Sequence, residues 1–509
     1  MRKPECAAAV LLLGVVLGIH GQTVPPESGP PVPRAVQLPL SGQTGQAGGV
    51  QTVQNPLPSG LESVNTITST VQVQGAYQGS VPSLSSPGPT FPLSLDDAVR
   101  RGLEYNLGAI SNQNTVRQNE GYRLVERSEL LPQISADMLV VEQQVNLAAL
   151  GFQGNIPGIP AVVGPFHYFD LRAGLTQNVF NLTRTRNFRS ASQQLAAARL
   201  SAEDSRDLVT LAVTGGYLEL IAAAARVDAA RAQVATAQTS FNLAKDRLAA
   251  GVVPRIDYTR SQVELQTQQQ RLTSLENNLA KYKIYFARLI GLPAAQQYTL
   301  SDALPFAPMR NLTLDQALVR AYSHRADLKA AGALVRSAEY ARQAAVAEHY
   351  PWVELIGDYG VLGSTPANSH GTFSVTGAVR FPIFEGGRIR GDVMQADAAL
   401  KQRQAEYQDL RGRIDAEIRT AFLDLVTAAN QVAVAESNRG LAAQTLKYAQ
   451  DRFSAGVTDT LEVVQAEETV AAAEQDYISS VYSHNLAKAT LARAMGQAGL
   501  NIKQFLTQP

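Results

Sequence analysis

Two residue types are nearly missing: the 509-residue chain holds one cysteine, Cys6, and one tryptophan, Trp352. Cys6 stands before an apolar run from Ala7 to Ile19, after Arg2 and Lys3, with Gly21 and Gln22 following. That is the form of a secretory signal. Its removal leaves a mature chain expected to have no disulfide, no thiol nucleophile and no lipid anchor on cysteine. Charge of one sign is also missing, with 44 Lys+Arg against 44 Asp+Glu. Neither nucleic acid nor a polybasic membrane anchor is therefore favoured.

After the signal no run of roughly 18 or more apolar residues stands out, so strands rather than helices are expected to cross any bilayer. There is no HExxH, Walker loop, GxGxxG or GxSxG. The six histidines lack ligand spacing and the five methionines do not cluster, so no metal, cofactor or catalysis is expected. The Asn-Leu-Thr sequences at Asn181 and Asn311 match a glycosylation pattern too short to carry weight.

What is present is organised in a tandem duplication. Residues 22–92 are rich in Pro, Gly, Ser, Thr and Gln and read as a disordered arm, with Ile67, Val71 and Val73 alternating as a short strand would. LSLDDAV from Leu93 matches LTLDQAL from Leu312, and AKDRLAAGV from Ala244 matches AQDRFSAGV from Ala449. The offset falls from 219 to 205 between these pairs, which places an insertion at Asn146–Pro165, a loop tip. The expected division is signal 1–21, arm 22–92, first repeat 93–299, linker 300–311, second repeat 312–498 and tail 499–509.

Each copy reads helix, strand, strand, long helix, tight turn, helix. Ser94 with Asp97 and Thr313 with Gln316 are capping-box starts, staple residues Leu93 and Leu312 precede them, and the helices end near Pro132 and Pro351. His167–Val179 puts Phe169, Leu171 and Leu175 opposite Asp170, Arg172 and Thr176; Phe373–Ile383 puts Phe373, Val375, Val379, Phe381 and Ile383 opposite Ser374 and Thr376. Val353 and Leu355 oppose Glu354, while Ile134–Val145 loses its alternation near Val140. A half-buried soluble sheet shares this pattern, but several such segments in an exported chain fit a membrane barrel. Lipid-facing residues are then Phe169, Leu171, Leu175, Val353, Leu355, Phe373, Val375 and Val379. Trp352 suits either an interfacial anchor or packing on the helices.

A coiled-coil seam runs through Val227, Ala230, Val234, Ala237, Phe241, Ala244 and Leu248, and again from Val432 to Phe453. The returning helix carries Leu265 to Leu289 at the same spacing, interrupted by Gln268. A helix over 181–249 is roughly 100 Å long at ~1.5 Å per residue. Shorter helices over 94–128 and 257–290 together match it and can stack end to end beside it. Four strands cannot close a barrel alone, because single-chain barrels begin at about eight and an open edge in lipid leaves backbone groups unpaired. Two copies give eight strands and three give twelve; a conducting pore favours three. The fold class is α+β, mostly α: a duplicated strand-strand and long-helix-hairpin repeat, forming a trimeric membrane barrel of four strands per chain continued by a coiled-coil tunnel.

At FPIFEGGR (Phe381–Arg388) and the paired turns DRLAAGV (Asp246–Val252) and DRFSAGV (Asp451–Val457), the chain resembles the TolC-like outer-membrane efflux protein family over about residues 93–498. The first copy's junction, NVFNLTR from Asn178, departs by lacking the two glycines. The resemblance implies a non-catalytic homotrimeric exit duct, its β-barrel in the outer membrane and its coiled-coil tunnel in the periplasm, with adaptor-docking tips at Gly251, Val252, Gly456, Val457 and Thr458. Its implied partners are a periplasmic adaptor, an inner-membrane pump of RND or ABC type, and outer-membrane lipid. Gly251 and Gly456 suit helix C-termini, Pro254 a first helical turn, and Asp459 with Glu462 a cap. Arg247, Asp257, Arg452 and Glu462 are candidates for an entrance gate and charge ring; a solvated helix face is the plain alternative for each. A secreted coiled-coil structural or adhesin-like protein with a soluble β-cap, or a passive porin, competes with the duct.

Overall fold

The computed structural model describes residues 49–54, 69–82, 88–147, 149, 160–303, 305–309, 312–500 and 502–507, all within the unit Ala47–Pro509. The signal, Cys6, Ile67, most of the insertion and Asn311 lie outside the described residues. Helices and strands follow the duplicated order. Strands β1 (Val50–Gln54) and β2 (Ser69–Val73) are followed by a 3₁₀ turn at Gly75–Gln78, then β3 (Phe91–Leu93). The first repeat continues with α1 (Leu95–Tyr105), α2 (Leu107–Ser128), β4 (Gln133–Asn146), β5 (Val162–Phe180), α3 (Leu182–Ala249), α4 (Arg255–Leu289) and β6 (Tyr298–Leu300). The second has α5 (Leu314–His324), α6 (Ala326–Ala347), β7 (Trp352–Gly363), β8 (Ser369–Arg380), α7 (Arg388–Ser454) and α8 (Thr460–Ala494); α9 (Ile502–Thr507) closes the chain.

The expected long helices form where alanine-rich seams let neighbours approach. Val227, Ala230, Ala237 and Ala244 of α3 are buried, as are their counterparts Val432, Ala435, Ala442 and Ala449 of α7. α3 packs along α2 and α6 over one stretch and along α4 over another; α7 packs on α6 and α8. By length and composition α3 also contains an apolar window long enough for a bilayer, contrary to the sequence expectation. Of that window 67 % is buried within the protein, where small residues such as Gly215 and Ala222 serve helix packing.

The helix expected over 94–128 is two helices. Asn106 breaks it with ψ 132, accepts from the Gly108 N–H at 2.9 Å and donates to the Tyr77 carbonyl at 2.8 Å. A Cβ on Gly108 would stand 2.4 Å from the Tyr77 ring, so glycine is required there by close approach. The second copy breaks at Arg325, held by Asp327 (2.6 Å) and Glu417 (2.5 Å). No proline announces either break; both are held by tertiary partners. At the helix starts, Ser94 accepts from the Asp97 N–H and Thr313 forms a complete capping box with Gln316.

Where residues 22–92 are described, they are ordered, which corrects the disordered-arm expectation there. β1 and β2 form an antiparallel pair, Val50 and Tyr77 are 7 % exposed, and Val71 and Val73 pack on the same core as α3 and α8. A groove lined by helices supplies the apolar cover that the segment cannot supply itself. β3 pairs in parallel with β6. The tail is likewise docked: Ile502 and Leu506 are buried, and Lys488 of α8, fully buried, donates to the Ala307 carbonyl at 2.9 Å and the Leu506 carbonyl at 3.0 Å. Burial lowers its ammonium to about 8.

The four long strands form one antiparallel sheet, in the order β4-β5-β7-β8. β8 ends at Arg380, so Phe381 and Ile383 fall beyond the strand to which the alternation assigned them. At the first junction Asn181 caps α3 directly, accepting from the Arg184 N–H at 3.0 Å, which is why NVFNLTR needs no glycines. The second junction is a longer turn in which Gly386 (φ 59) and Gly387 (φ 92) take left-handed conformations.

Candidate functional site

Register sorts the sheet into two faces, because directly paired residues share a side. On one, Ile134, Ala136, Met138 and Val140 pair with Leu175, Ala173, Leu171 and Phe169. The row continues through Val361, Tyr359, Leu355 and Val353 to Phe373, Val375 and Val379. All eight residues expected to face lipid therefore lie on this face. It is uncovered in the protomer: Phe373 is 76 % exposed, Val375 71 % and Met138 68 %.

The opposite face is polar. Arg172 binds Asp170 (2.9 Å) and reaches across to Asp358 (2.9 Å), which also accepts from Ser374. Leu139, Val141, Phe166, Ile356 and Leu362 are apolar exceptions on this side. Leu139 is where β4 loses its alternation; it pairs with Asp170, and the β4–β5 register shifts again between Gln143 and Val145. Trp352 pairs with Arg380 and shares the side of Glu354, which argues against a lipid anchor. It lines a polar cavity with Glu348, Glu354, Glu385 and Arg388 where sheet meets helices. Both outer strands, β4 and β8, have one edge with no strand beside it among the described residues.

At the far ends of the long helices are two matching turns. Gly251 (φ 71) donates to the Leu248 carbonyl at 3.0 Å, and Val252 to that of Arg247 at 2.9 Å; Gly456 (φ 74) and Val457 repeat this on Phe453 and Arg452 at 3.0 Å each. This is the paired bonding of a Schellman end, and it requires a left-handed residue. Val252 and Val457 project from the turns, 69 % and 68 % exposed. Pro254 is the N-cap of α4, one position before its first turn, and Asp459 caps α8 by accepting from the Leu461 N–H at 3.1 Å. Glu462 does not complete that cap; it accepts from Thr458 and pairs with Arg452 at 3.3 Å.

The candidate gate charges divide. Arg247 meets no carboxylate among the described residues. Its Nη1 and Nη2 donate to the carbonyls of Phe453 (2.7 Å) and Ser454 (2.9 Å), the end of α7, and its guanidinium lies 4.6 Å from the Phe453 ring centre. Arg452 and Glu462 pair within their own hairpin. Asp257 does not join an exposed ring: it is 4 % exposed, in the first turn of α4, where a carboxylate favours the helix N-terminus. Arg260, which sequence reasoning missed, stands 3.8 Å from Asp257 and 3.7 Å from Asp459, linking the two hairpins. Its position three residues after Asp257 was the available signal.

A buried polar layer between the hairpins was also missed. Asp257, Ser261, Glu264 and Gln268 form one stripe on α4, and Thr460 and Glu467 are buried on α8. Ser240 of α3 donates to Glu467 at 2.6 Å, and Gln268 to Glu264 at 2.7 Å. Burial raises the Glu467 carboxyl above its ordinary range, the nearby Glu264 charge adds to this, and the Ser240 hydroxyl opposes it. Gln268 breaking the leucine seam was the sign of this layer.

Comparison with known proteins gives this geometry a family. The profile described as outer membrane efflux protein matches residues 114–292 and 317–497. The chain is 25 % identical to the toluene efflux pump outer membrane protein TtgF of Pseudomonas putida over 77 % of its length and 82 % of that protein's. It is 26 % identical to the cobalt-zinc-cadmium resistance protein CzcC of Cupriavidus metallidurans, over 80 % and 90 %. Among solved structures, the Campylobacter jejuni CmeC outer membrane channel superposes with a TM-score of 0.70 at 15 % identity, covering 90 % of this chain and 98 % of that one. With the profile covering both repeats, the chain belongs to the outer membrane efflux protein family and is an outer-membrane channel of TolC-like fold.

Proposed function

We propose that three copies of this chain join β8 of one to β4 of the next, close a twelve-strand barrel in the outer membrane, and continue it into the periplasm as a tunnel of α3, α4, α7 and α8. The observation that carries this is the pairing of a predominantly apolar, uncovered sheet face with two edges that no described strand pairs. In lipid such a face is favourable and such edges are not, so closure by further copies satisfies both. Phe169, Leu171, Leu175, Val353, Leu355, Phe373, Val375 and Val379 then meet lipid, and the Arg172 network lines the lumen. A soluble β-cap would need to hide Phe373 and Val375, and no described element covers them.

The tunnel serves as the exit duct of a tripartite efflux or type I secretion system and catalyses no reaction. The tips at Gly251, Val252, Gly456, Val457 and Thr458 dock a periplasmic adaptor, which connects them to an inner-membrane pump of RND or ABC type. Arg247, Arg452 and Glu462 hold the entrance closed; Asp257 acts through Arg260 from within the hairpin seam. The division into signal 1–21, two repeats and connecting segments fits this reading. TtgF and CzcC bear names of an organic solvent and of divalent metals, so the duct shape is compatible with unlike cargo.

The test is a thiol at the second tip. Thr458→Cys in a Cys6→Ser background, cross-linked in living cells, is expected to capture the adaptor, identified by mass spectrometry. A freely labelled thiol in outer-membrane trimers would refute the docking site, and labelling in a soluble fraction would refute the duct.

A further inference from the structure

Between β8 and α7 three large apolar side chains stand almost bare: Phe381 is 65 % exposed, Ile383 94 % and Phe384 88 %. The turn that carries them is pinned. The Arg388 N–H donates to the Glu385 carbonyl at 3.0 Å, and its guanidinium binds Glu385, Glu348 (2.6 Å) and Asp392 (2.8 Å), tying the turn to the end of α6 and the start of α7. The left-handed Gly386 and Gly387 have open space around them, so conformation rather than crowding calls for glycine. A turn held this way does not fold its apolar residues inward, and a contiguous apolar surface of this kind marks a contact site.

Topology says what lies beside it. Gln133, at the start of β4, pairs with Thr176 near the end of β5; Ile356 near the start of β7 pairs with Thr376 near the end of β8. The start of β4 and the end of β8 are thus at the same end of the sheet and run in opposite directions. When β8 of one copy meets β4 of the next, residues 381–384 abut the segment that leads into the neighbour's β4. That segment also presents bare apolar side chains: Leu124 is 57 % exposed and Leu131 47 %.

We infer that Ile383 and Phe384, on the pinned turn after β8, seat on Leu131 and Leu124 of the next copy and clasp adjacent protomers where barrel gives way to tunnel. The clasp rests on the closed barrel proposed above and extends it: strand edges supply hydrogen bonds, and this contact supplies the apolar burial that sets which ends meet. The corresponding junction of the first repeat, between β5 and α3, has β7 of the same protomer beside it, Phe180 pairing with Val353, and needs no such extension.

The experiment uses full-length protein in its outer membrane, with Cys6→Ser so that introduced thiols are unique. Phe384→Cys with Leu131→Cys is oxidised and run on a non-reducing gel, and each single variant is run beside it. Cross-linked products of up to three chains, from the double variant alone, are expected. In addition Ile383→Ser with Phe384→Ser is expected to lower the temperature at which trimers dissociate in detergent, while Phe384→Leu restores most of it. Trimers by native mass spectrometry without the cross-link, or labelling of Phe384→Cys by a lipid-embedded maleimide, would overturn the clasp and assign the turn to the membrane. The cross-link formed in an assembly of another stoichiometry would keep the clasp and remove the three-copy barrel.

Discussion

Arg247→Ala is expected to loosen the tunnel entrance without disturbing assembly. The side chain makes two charge-assisted hydrogen bonds, 2.7 and 2.9 Å, to carbonyls at the end of α7, the Phe453 carbonyl also accepting from the Gly456 N–H, and it lies over the Phe453 ring. Hydrogen bonds to charged groups contribute about 1.5–3 kcal/mol, and a solvent-accessible cation over an aromatic ring about 0.5–1 kcal/mol. Arg247 is half-buried, so we discount the sum to about 2 kcal/mol per protomer, roughly a thirtyfold shift in the local equilibrium at one tip. The assay is single-channel recording in planar bilayers. Arg247→Ala should raise conductance or open time, Arg247→Lys should recover part of the closure, and Phe453→Leu should lose the ring contribution together with some of the packing around a buried side chain. Wild-type closure in Arg247→Ala, in folded trimers, would refute the idea that this arginine ties the first hairpin to the second.

Three further outcomes are expected. Gly251→Ala or Gly456→Ala forces a Cβ into left-handed backbone with nothing else within 4 Å, so each should cost about 1–2 kcal/mol locally, read as faster amide exchange at that tip alone. Phe373→Arg on the apolar face should cost about 2–4 kcal/mol if the residue sits near mid-bilayer and reduce trimer yield, whereas Thr372→Arg on the other face should assemble and shift ion preference. Asp207, half-buried and near the Asp204 charge, accepts the Gly499 N–H at 2.8 Å, and desolvation raises its carboxyl to about 6. The folded state then holds a proton that the unfolded chain releases near its ordinary value of about 3.9, so stability falls as pH rises between these values and levels off above about 6. Asp207→Asn should flatten that slope in thermal unfolding followed by circular dichroism.

Much of this architecture was readable from periodicity and repetition. The faces of β5 and β8 follow from alternation of two because the sheet has one apolar and one polar side, and the tips follow from DRLAAGV and DRFSAGV because a left-handed residue must end each helix. What was not readable depends on partners distant in the chain. Asn106 breaks a helix only because Tyr77 receives its side chain, and β1 and β2 are ordered only because a helical core covers Val50 and Val71. Asp257 looked like an entrance charge because its spacing from Gly251 is visible, while its burial is a property of how two hairpins meet. Trp352 likewise carries no mark of side; pairing with Arg380 places it.

A chain that is one third of a membrane tube has a fixed stoichiometry in its own membrane, and that number can be weighed. Protein extracted from outer membranes in mild detergent and weighed by native mass spectrometry should appear as three chains, with monomer rare. A stable monomer, or recovery of the protein from the soluble fraction, would refute the three-copy membrane tube.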